Sequence, residues 1–310
     1  MGTSQNEVLK PQVSLSVNGK SFYWASHFLS PQMGNNAAHL YAFCRVLDDM
    51  ADGDITDGPK RLIRIRASLQ SGHAIEDPAL VDFQPFISKM GFSKNVLLAL
   101  LDGLLQDQED QVCLSTVEDL LHYSYRVAGT VGLLMCGVLN STSSDAKAFA
   151  IDLGIGMQLT NIARDVLEDA RMGRRYIPSE WVNDLSPSAI CLASTDPNGE
   201  NAILIKASLA RLLELADRFY QSGAIGFSYL PWRAHVGIAI AARVYRQIGV
   251  QLQLSGYAWH KERQVTSKST KLKCSLIALG SLSSRIPTLN KKKHDRSLHT
   301  YLQGLPYVKE

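Results

Sequence analysis

The chain has 310 residues, 45% of them hydrophobic and 20% charged, with a net charge of +3. This is the balance of an ordinary soluble globular protein with a substantial core, and the weak charge gives no case for a nucleic-acid partner. Five scattered cysteines (Cys44, Cys113, Cys136, Cys191, Cys274) form no C-x-x-C pair, which argues against a zinc site or disulfide framework and fits a reducing, cytoplasmic setting.

Apolar residues recur at helical spacing almost throughout. They predict helices at 21–29, 35–52, 59–70, 79–90, 93–109, 116–139, 144–169, 178–183, 200–222, 230–255 and 271–283. Residues 1–20 hold no apolar signal segment, and the longest apolar stretch, Val96 to Leu105, is broken by Asp102 and too short to cross a bilayer. The pattern predicts an N-terminal extension over 1–17 and one all-α domain over 18–284, with helices around a central cavity. Residues 185–199 read as a Pro/Ser/Asn/Gly connection. Residues 285–310 form a basic tail, read either as a solvated segment or as a functional one. In the functional reading Lys268 and Lys271, just before it, serve a diphosphate, and Lys291–Lys293 touch an anionic membrane surface.

Two helices carry the chemistry. At about 100° per residue, Tyr41, Arg45, Asp48 and Asp52 share one stripe, with Asp49 at its edge, while Leu40, Phe43, Cys44 and Leu47 beside them are apolar. Gln158, Asn161, Asp165 and Asp169 repeat the arrangement, flanked by Arg164 and Glu168. Unpaired charges are costly to bury, so a polar stripe on an apolar helix reads as the wall of a wet, charged cavity. The second stripe offers oxygen ligands and no sulfur or imidazole, a donor set for Mg²⁺, with Mn²⁺ as the alternative. One D-x-x-x-D pair is ordinarily a solvated face; two such pairs in apolar helices call for a ligand. Glycines inside the helix at Gly129 and Gly132 cost about 1 kcal/mol each, which close packing or room for a bulky apolar ligand would explain.

The segments Lys20-Ser21-Phe22, YAFCRVLDDMAD (41–52), YSYRVAGTVG (123–132), QLTNIARDVLEDARMGRRYIP (158–178) and ARVYRQIG (242–249) resemble the squalene/phytoene synthase family, in order and spacing, over about 18–270. The resemblance implies an isoprenoid synthase fold with phosphates at the mouth of the cavity and isoprenyl tails inside. It implies Mg²⁺ ligation by Asp48, Asp52, Asn161, Asp165 and Asp169, and diphosphate contact from Asn18, Lys20, Ser21, Phe22, Tyr41, Arg45, Gln158, Arg164 and Tyr245, with Lys268 added. Tyr123 matches a family tyrosine near the reacting carbons; Asn18 stands where some relatives carry His. The implied activity is a prenyltransferase that joins two geranylgeranyl diphosphates head to head through prephytoene diphosphate to phytoene, in carotenoid biosynthesis. No Gly-rich dinucleotide motif is present, so no NAD(P)H is expected. The alternatives are a C30 enzyme of the family acting on farnesyl diphosphate, and a non-catalytic scaffold relative. A product so apolar implies peripheral membrane association.

Overall fold

The computed structural model describes residues 10–308 except 110, 142, 262 and 286–292, and among them helices dominate. In chain order these are α1 (Pro11–Asn18), α2 (Lys20–Ser26), α3 (Pro31–Ala51), α4 (Gly58–Ser71), α5 (Gln84–Met90), α6 (Lys94–Gln106), α7 (Val117–Ser124), α8 (Thr130–Val138), α9 (Ala146–Arg171), α10 (Pro187–Ala193), α11 (Glu200–Ile225), α12 (Trp232–Leu254) and α13 (Lys268–Leu279). Start signals are chemical. Ser30 caps α3, accepting from the Met33 N–H at 3.3 Å with Pro31 in the first turn, and Thr116 with Asp119 forms a capping box on α7.

α9 is the central post. It packs on α8, α10, α11 and α12, and its buried face runs from Ala146 to Ala170. Its glycines set the spacing: a Cβ on Gly154 would strike the Ala128 carbonyl, and one on Gly132 of α8 would strike that of Ala150. Close helix packing therefore explains Gly132, which also lines the cavity.

Four local expectations are corrected. The N-terminal extension holds α1, whose Leu15 is buried and lines the cavity. The supposed connection at 185–199 holds α10, started by Ser186 as cap with Pro187 behind it. The helix expected over 178–183 is only a 3₁₀ turn, Ser179–Trp181. The helix over 116–139 is interrupted by a π turn at Tyr125–Gly129, a distortion frequent at functional sites.

The tail also differs from a solvated segment. A 3₁₀ turn, Arg296–Leu302, packs against α7 with Leu298, His299 and Leu302 buried, because these side chains find an apolar seat that their basic neighbours concealed in the sequence. Lys293 is exposed, while Lys291 and Lys292 lie outside the described residues. Finally, β1 (Val112–Cys113) pairs in parallel with β2 (Arg174–Arg175), tying the loop after α6 to the loop after α9.

Candidate active site

Both acidic stripes end at helix C-termini. Asp48 and Asp49 fall in the last turn of α3 and Asp52 caps it; Asp165, Glu168 and Asp169 fall in the last two turns of α9. A helix C-terminus carries negative partial charge, so carboxylates there cost stability. Burial adds to the cost. It pushes the Asp48 carboxyl up to about 7, with Asp52, Asp49 and Asp107 adding and Arg45 opposing. It pushes Asp169 up to about 8, reinforced by Asp165 and opposed by Arg174.

Arginines meet part of this charge. Arg45 pairs with Asp49 one turn on, at 2.5 Å. Asp165 is gripped twice: Arg164 donates to both its oxygens at 2.7 and 2.5 Å, and Arg263 approaches from the other side at 2.9 Å. Arg174 bridges the two halves of the mouth, donating to Asp52 at 3.0 Å and to the Asp107 carbonyl at 3.1 Å. Its neighbour Arg175 is buried and structural, tied to Asp184, Ser179 and Leu185.

Between the acidic helices lies Asp107, which accepts from Tyr123 Oη at 2.9 Å and from Tyr176 Oη at 2.7 Å. The two phenol rings stack at 4.6 Å. Burial lifts the Asp107 carboxyl to about 6, against the two phenol hydrogen bonds and Arg174. The β1–β2 pairing accounts for this convergence, since Asp107 precedes β1 and Tyr176 follows β2.

The donor set fits Mg²⁺. Asn161 Oδ1 is buried without a hydrogen-bond partner, although its Nδ2 lies 3.4 Å from Gln158 Oε1. An orphaned amide oxygen beside carboxylates is an acceptor awaiting a cation. The mouth acids do not form a closed cage: among the described residues, the group of three His, Cys, Asp or Glu ligand atoms lying within 4.8 Å of one another is Asp152, His294 and His299, elsewhere. An open arrangement suits Mg²⁺, which binds through one or two carboxylates, waters and substrate phosphates.

Behind the mouth runs an apolar cavity of ≈ 330 Å³. Along α9 its lining is Ala146, Phe149, Ala150, Leu153, Gly154, Met157, Gln158 and Asn161, one continuous stripe. At about 1.5 Å per residue, that stripe is about 22 Å long. Near the acids an aromatic corner closes it: Phe22 stacks on Tyr245 at 4.9 Å and tilts against Tyr41 at 6.3 Å. Gly19 lies under the Tyr41 ring, where an added Cβ would sit 2.9 Å from the ring carbons.

Residues 15–270 match the squalene/phytoene synthase family. The chain belongs to that family. It is 34% identical to a phytoene synthase of Pseudescherichia vulneris, covering 89% of this chain and 93% of the relative. It is 31% identical to a presqualene diphosphate synthase of Sinorhizobium fredii, covering 82% and 90%. A crystal structure of a dehydrosqualene synthase in complex with ligand matches it with a TM-score of 0.77 at 26% identity, covering 88% of this chain and 95% of that one. The fold is thus the isoprenoid synthase fold, and the chain is a prenyltransferase-type enzyme. Among the described residues no helix is long and apolar enough to cross a membrane.

Within this family member, Phe22, Tyr41, Asp48, Gln158, Asn161 and Tyr245 meet in the cavity lining, and Arg45, Asp52, Arg164, Asp165 and Asp169 surround its mouth. Tyr123 is buried with its hydroxyl on Asp107. Asn18 and Lys20 are exposed and Ser21 half-buried; the Lys20 carbonyl accepts from Lys271 Nζ at 3.3 Å. Lys268 is exposed in the first turn of α13, and Arg263 is the residue that reaches Asp165. Asp107, Arg174, Tyr176 and Arg263 escaped the sequence reading. Arg174 and Tyr176 stand in the quoted GRRYIP run and were open to notice; Asp107 and Arg263 join the site only through tertiary contact.

Proposed function

We propose that the protein condenses two geranylgeranyl diphosphates head to head to phytoene, through a cyclopropylcarbinyl diphosphate. One allylic C–O bond breaks in forming the cyclopropane and one cyclopropylcarbinyl C–O bond breaks in opening it; two diphosphates and two protons leave, and the new C1–C1′ linkage becomes a double bond. The observation that carries the C20 reading is the length of the cavity. An extended chain advances about 1.2 Å per backbone bond, so an isoprene unit of four bonds spans about 5 Å. Four units need about 20 Å, close to the cavity stripe on α9, and three need about 15 Å, which would leave the deep end empty.

The residues have definable tasks. Asp48, Asp52, Asn161, Asp165 and Asp169 would hold Mg²⁺, which when bound neutralises the departing diphosphate. Arg45, Arg164 and Arg263 stand where they can turn from aspartate to diphosphate oxygens and stabilise the developing charge. Phe22, Tyr41 and Tyr245 present π faces to an allylic cation in a mainly apolar lining, where burial keeps the Cys44 and Cys136 thiols protonated. Asp107 fixes both phenols, so Tyr123 keeps one orientation.

Incubation of the purified protein with Mg²⁺ and either the C15 or the C20 diphosphate tests the reading. Phytoene from the C20 substrate is expected, and product from the C15 substrate alone overturns it.

We further propose that α13 makes a peripheral membrane contact. Leu272, Leu276, Ile277 and Leu279 are exposed on α13, interleaved with Lys268 and Lys273. Apolar side chains among lysines suit an anionic lipid surface. Leu276→Asp with Ile277→Asp should abolish sedimentation with anionic liposomes; unchanged sedimentation refutes this assignment.

A further inference from the structure

The deep end of the cavity is backed by a segment distant in sequence. Phe149 lines the cavity about 18 Å along α9 from Asn161, at about 1.5 Å per residue. Its ring stacks on Tyr229 at 5.8 Å and meets His294 edge-on at 5.3 Å. His294 Nε2 and His299 Nε2 lie 2.8 and 2.7 Å from the two oxygens of Asp152, and Ser222 Oγ donates to the same carboxylate at 2.5 Å.

Asp152 is fully buried on α9, three residues from Phe149 and next to cavity-lining Leu153. Burial pushes its carboxyl up, but the hydrogen bonds from His294 and His299 outweigh this and hold it below the usual carboxylate range. A carboxylate ionised at no exposure is tolerated only when paired, so the segment bearing both histidines is fixed to the back of α9. Two more contacts extend the attachment. Tyr125 Oη donates to the Pro306 carbonyl at 2.5 Å, and the Lys147 ammonium lies 3.7 Å from the centre of the Tyr307 ring. Tyr125 opens the π turn whose Val127 and Ala128 line the cavity, and Lys147 adjoins cavity-lining Ala146.

We propose that the C-terminal segment 293–308 sets the chain-length limit of the cavity, with Phe149 forming the floor together with Ala146 and His294 as the prop behind Phe149. Phe149 is the specificity-determining side chain; His294 is a positioning residue, and Asp152 with His299 holds the segment that carries it. The inference rests on the condensation reading only in taking the cavity to hold prenyl chains. Five isoprene units would need about 25 Å, more than the stripe from Asn161 to Ala146 provides, and the Phe149, Tyr229 and His294 rings stand together at its deep end.

The test measures binding of unreactive C15, C20 and C25 prenyl thiodiphosphates to the full-length chain in Mg²⁺ by calorimetry. The variants are Phe149→Ala, the gentler Phe149→Leu, and His294→Ala, which leaves His299 on Asp152. The C25-to-C20 affinity ratio should rise at least tenfold in Phe149→Ala, since one methylene in an apolar pocket is worth about 10-fold or more. It should rise about threefold in His294→Ala. A ratio is taken within each variant, so a uniform loss of stability does not imitate the effect. An unchanged ratio in both Phe149 variants overturns the floor, and a shift there without one in His294→Ala overturns the prop. The analogues do not react, so this outcome is separate from whether the wild type forms phytoene.

Discussion

The two ends of the cavity solve the burial of charge in opposite ways. At the deep end one carboxylate, Asp152, is completely buried and fully served, with Ser222, His294 and His299 around it. At the mouth Asp48, Asp107 and Asp169 are each held above their ordinary range, and Asn161 Oδ1 has no partner. A finished polar cluster stabilises and specifies; an unfinished one is a debt that the fold carries for a ligand. The contrast separates the part of the molecule that holds shape from the part to which the proposed function assigns the cations.

The largest expected effect attacks the mouth. Asp165→Asn should lower kcat by about 10²–10³-fold with an unchanged circular dichroism spectrum; a rate near wild type would break the contrast. Next comes the wall. Gly154→Ala forces a Cβ onto the Ala128 carbonyl, and should cost about 1–3 kcal/mol, read as a Tm lowered by about 2–4 °C per kcal/mol. A Tm equal to wild type would show that the helices separate freely.

A smaller loss is expected at Asp107→Asn, which replaces one of the two oxygens that separately accept from Tyr123 and Tyr176 with an NH2 group that cannot accept. Here kcat should fall about tenfold, with KM little changed; a pure KM effect would place Asp107 in substrate binding instead. The smallest effect is thermal. Asp48 is raised from 3.8 to about 7, so its neutral form is favoured by folding. That contribution is fully present below pH 3.8 and lost as pH rises through 7. In metal-free protein, Asp48→Asn should therefore melt a few degrees above wild type at about pH 8, with the gap narrowing toward pH 5. A variant that melts lower at pH 8 would contradict the strained mouth.

The mouth was largely legible because helical periodicity is local. Tyr41, Arg45, Asp48 and Asp52 fall on one stripe by counting alone, as do Gln158, Asn161, Asp165 and Asp169. What escaped needed contacts that no window spans. Asp107 meets Tyr176 only because β1 pairs with β2, and Arg263 reaches Asp165 from beyond α12. The C-terminal segment was misread for a different reason. Its Lys and Arg content suggested solvent, while the residues that matter, His294, Leu298, His299 and Leu302, show no helical period of useful length. α10 could have been found: Ser186-Pro187 is a cap followed by proline in the first turn.

The double grip on Asp165 has a thermodynamic consequence. A guanidinium N–H that serves Asp165 cannot serve a phosphate oxygen at the same moment, so Arg164 and Arg263 hold one partner by releasing another. A cation that takes over Asp165 frees both arginines for an anion, and an anion that attracts the arginines bares Asp165 for a cation. Each ligand thereby raises the affinity for the other by the same factor, as linkage requires. Under the proposed function, metal ion and diphosphate would therefore bind as a pair, with half-loaded forms of the site sparse.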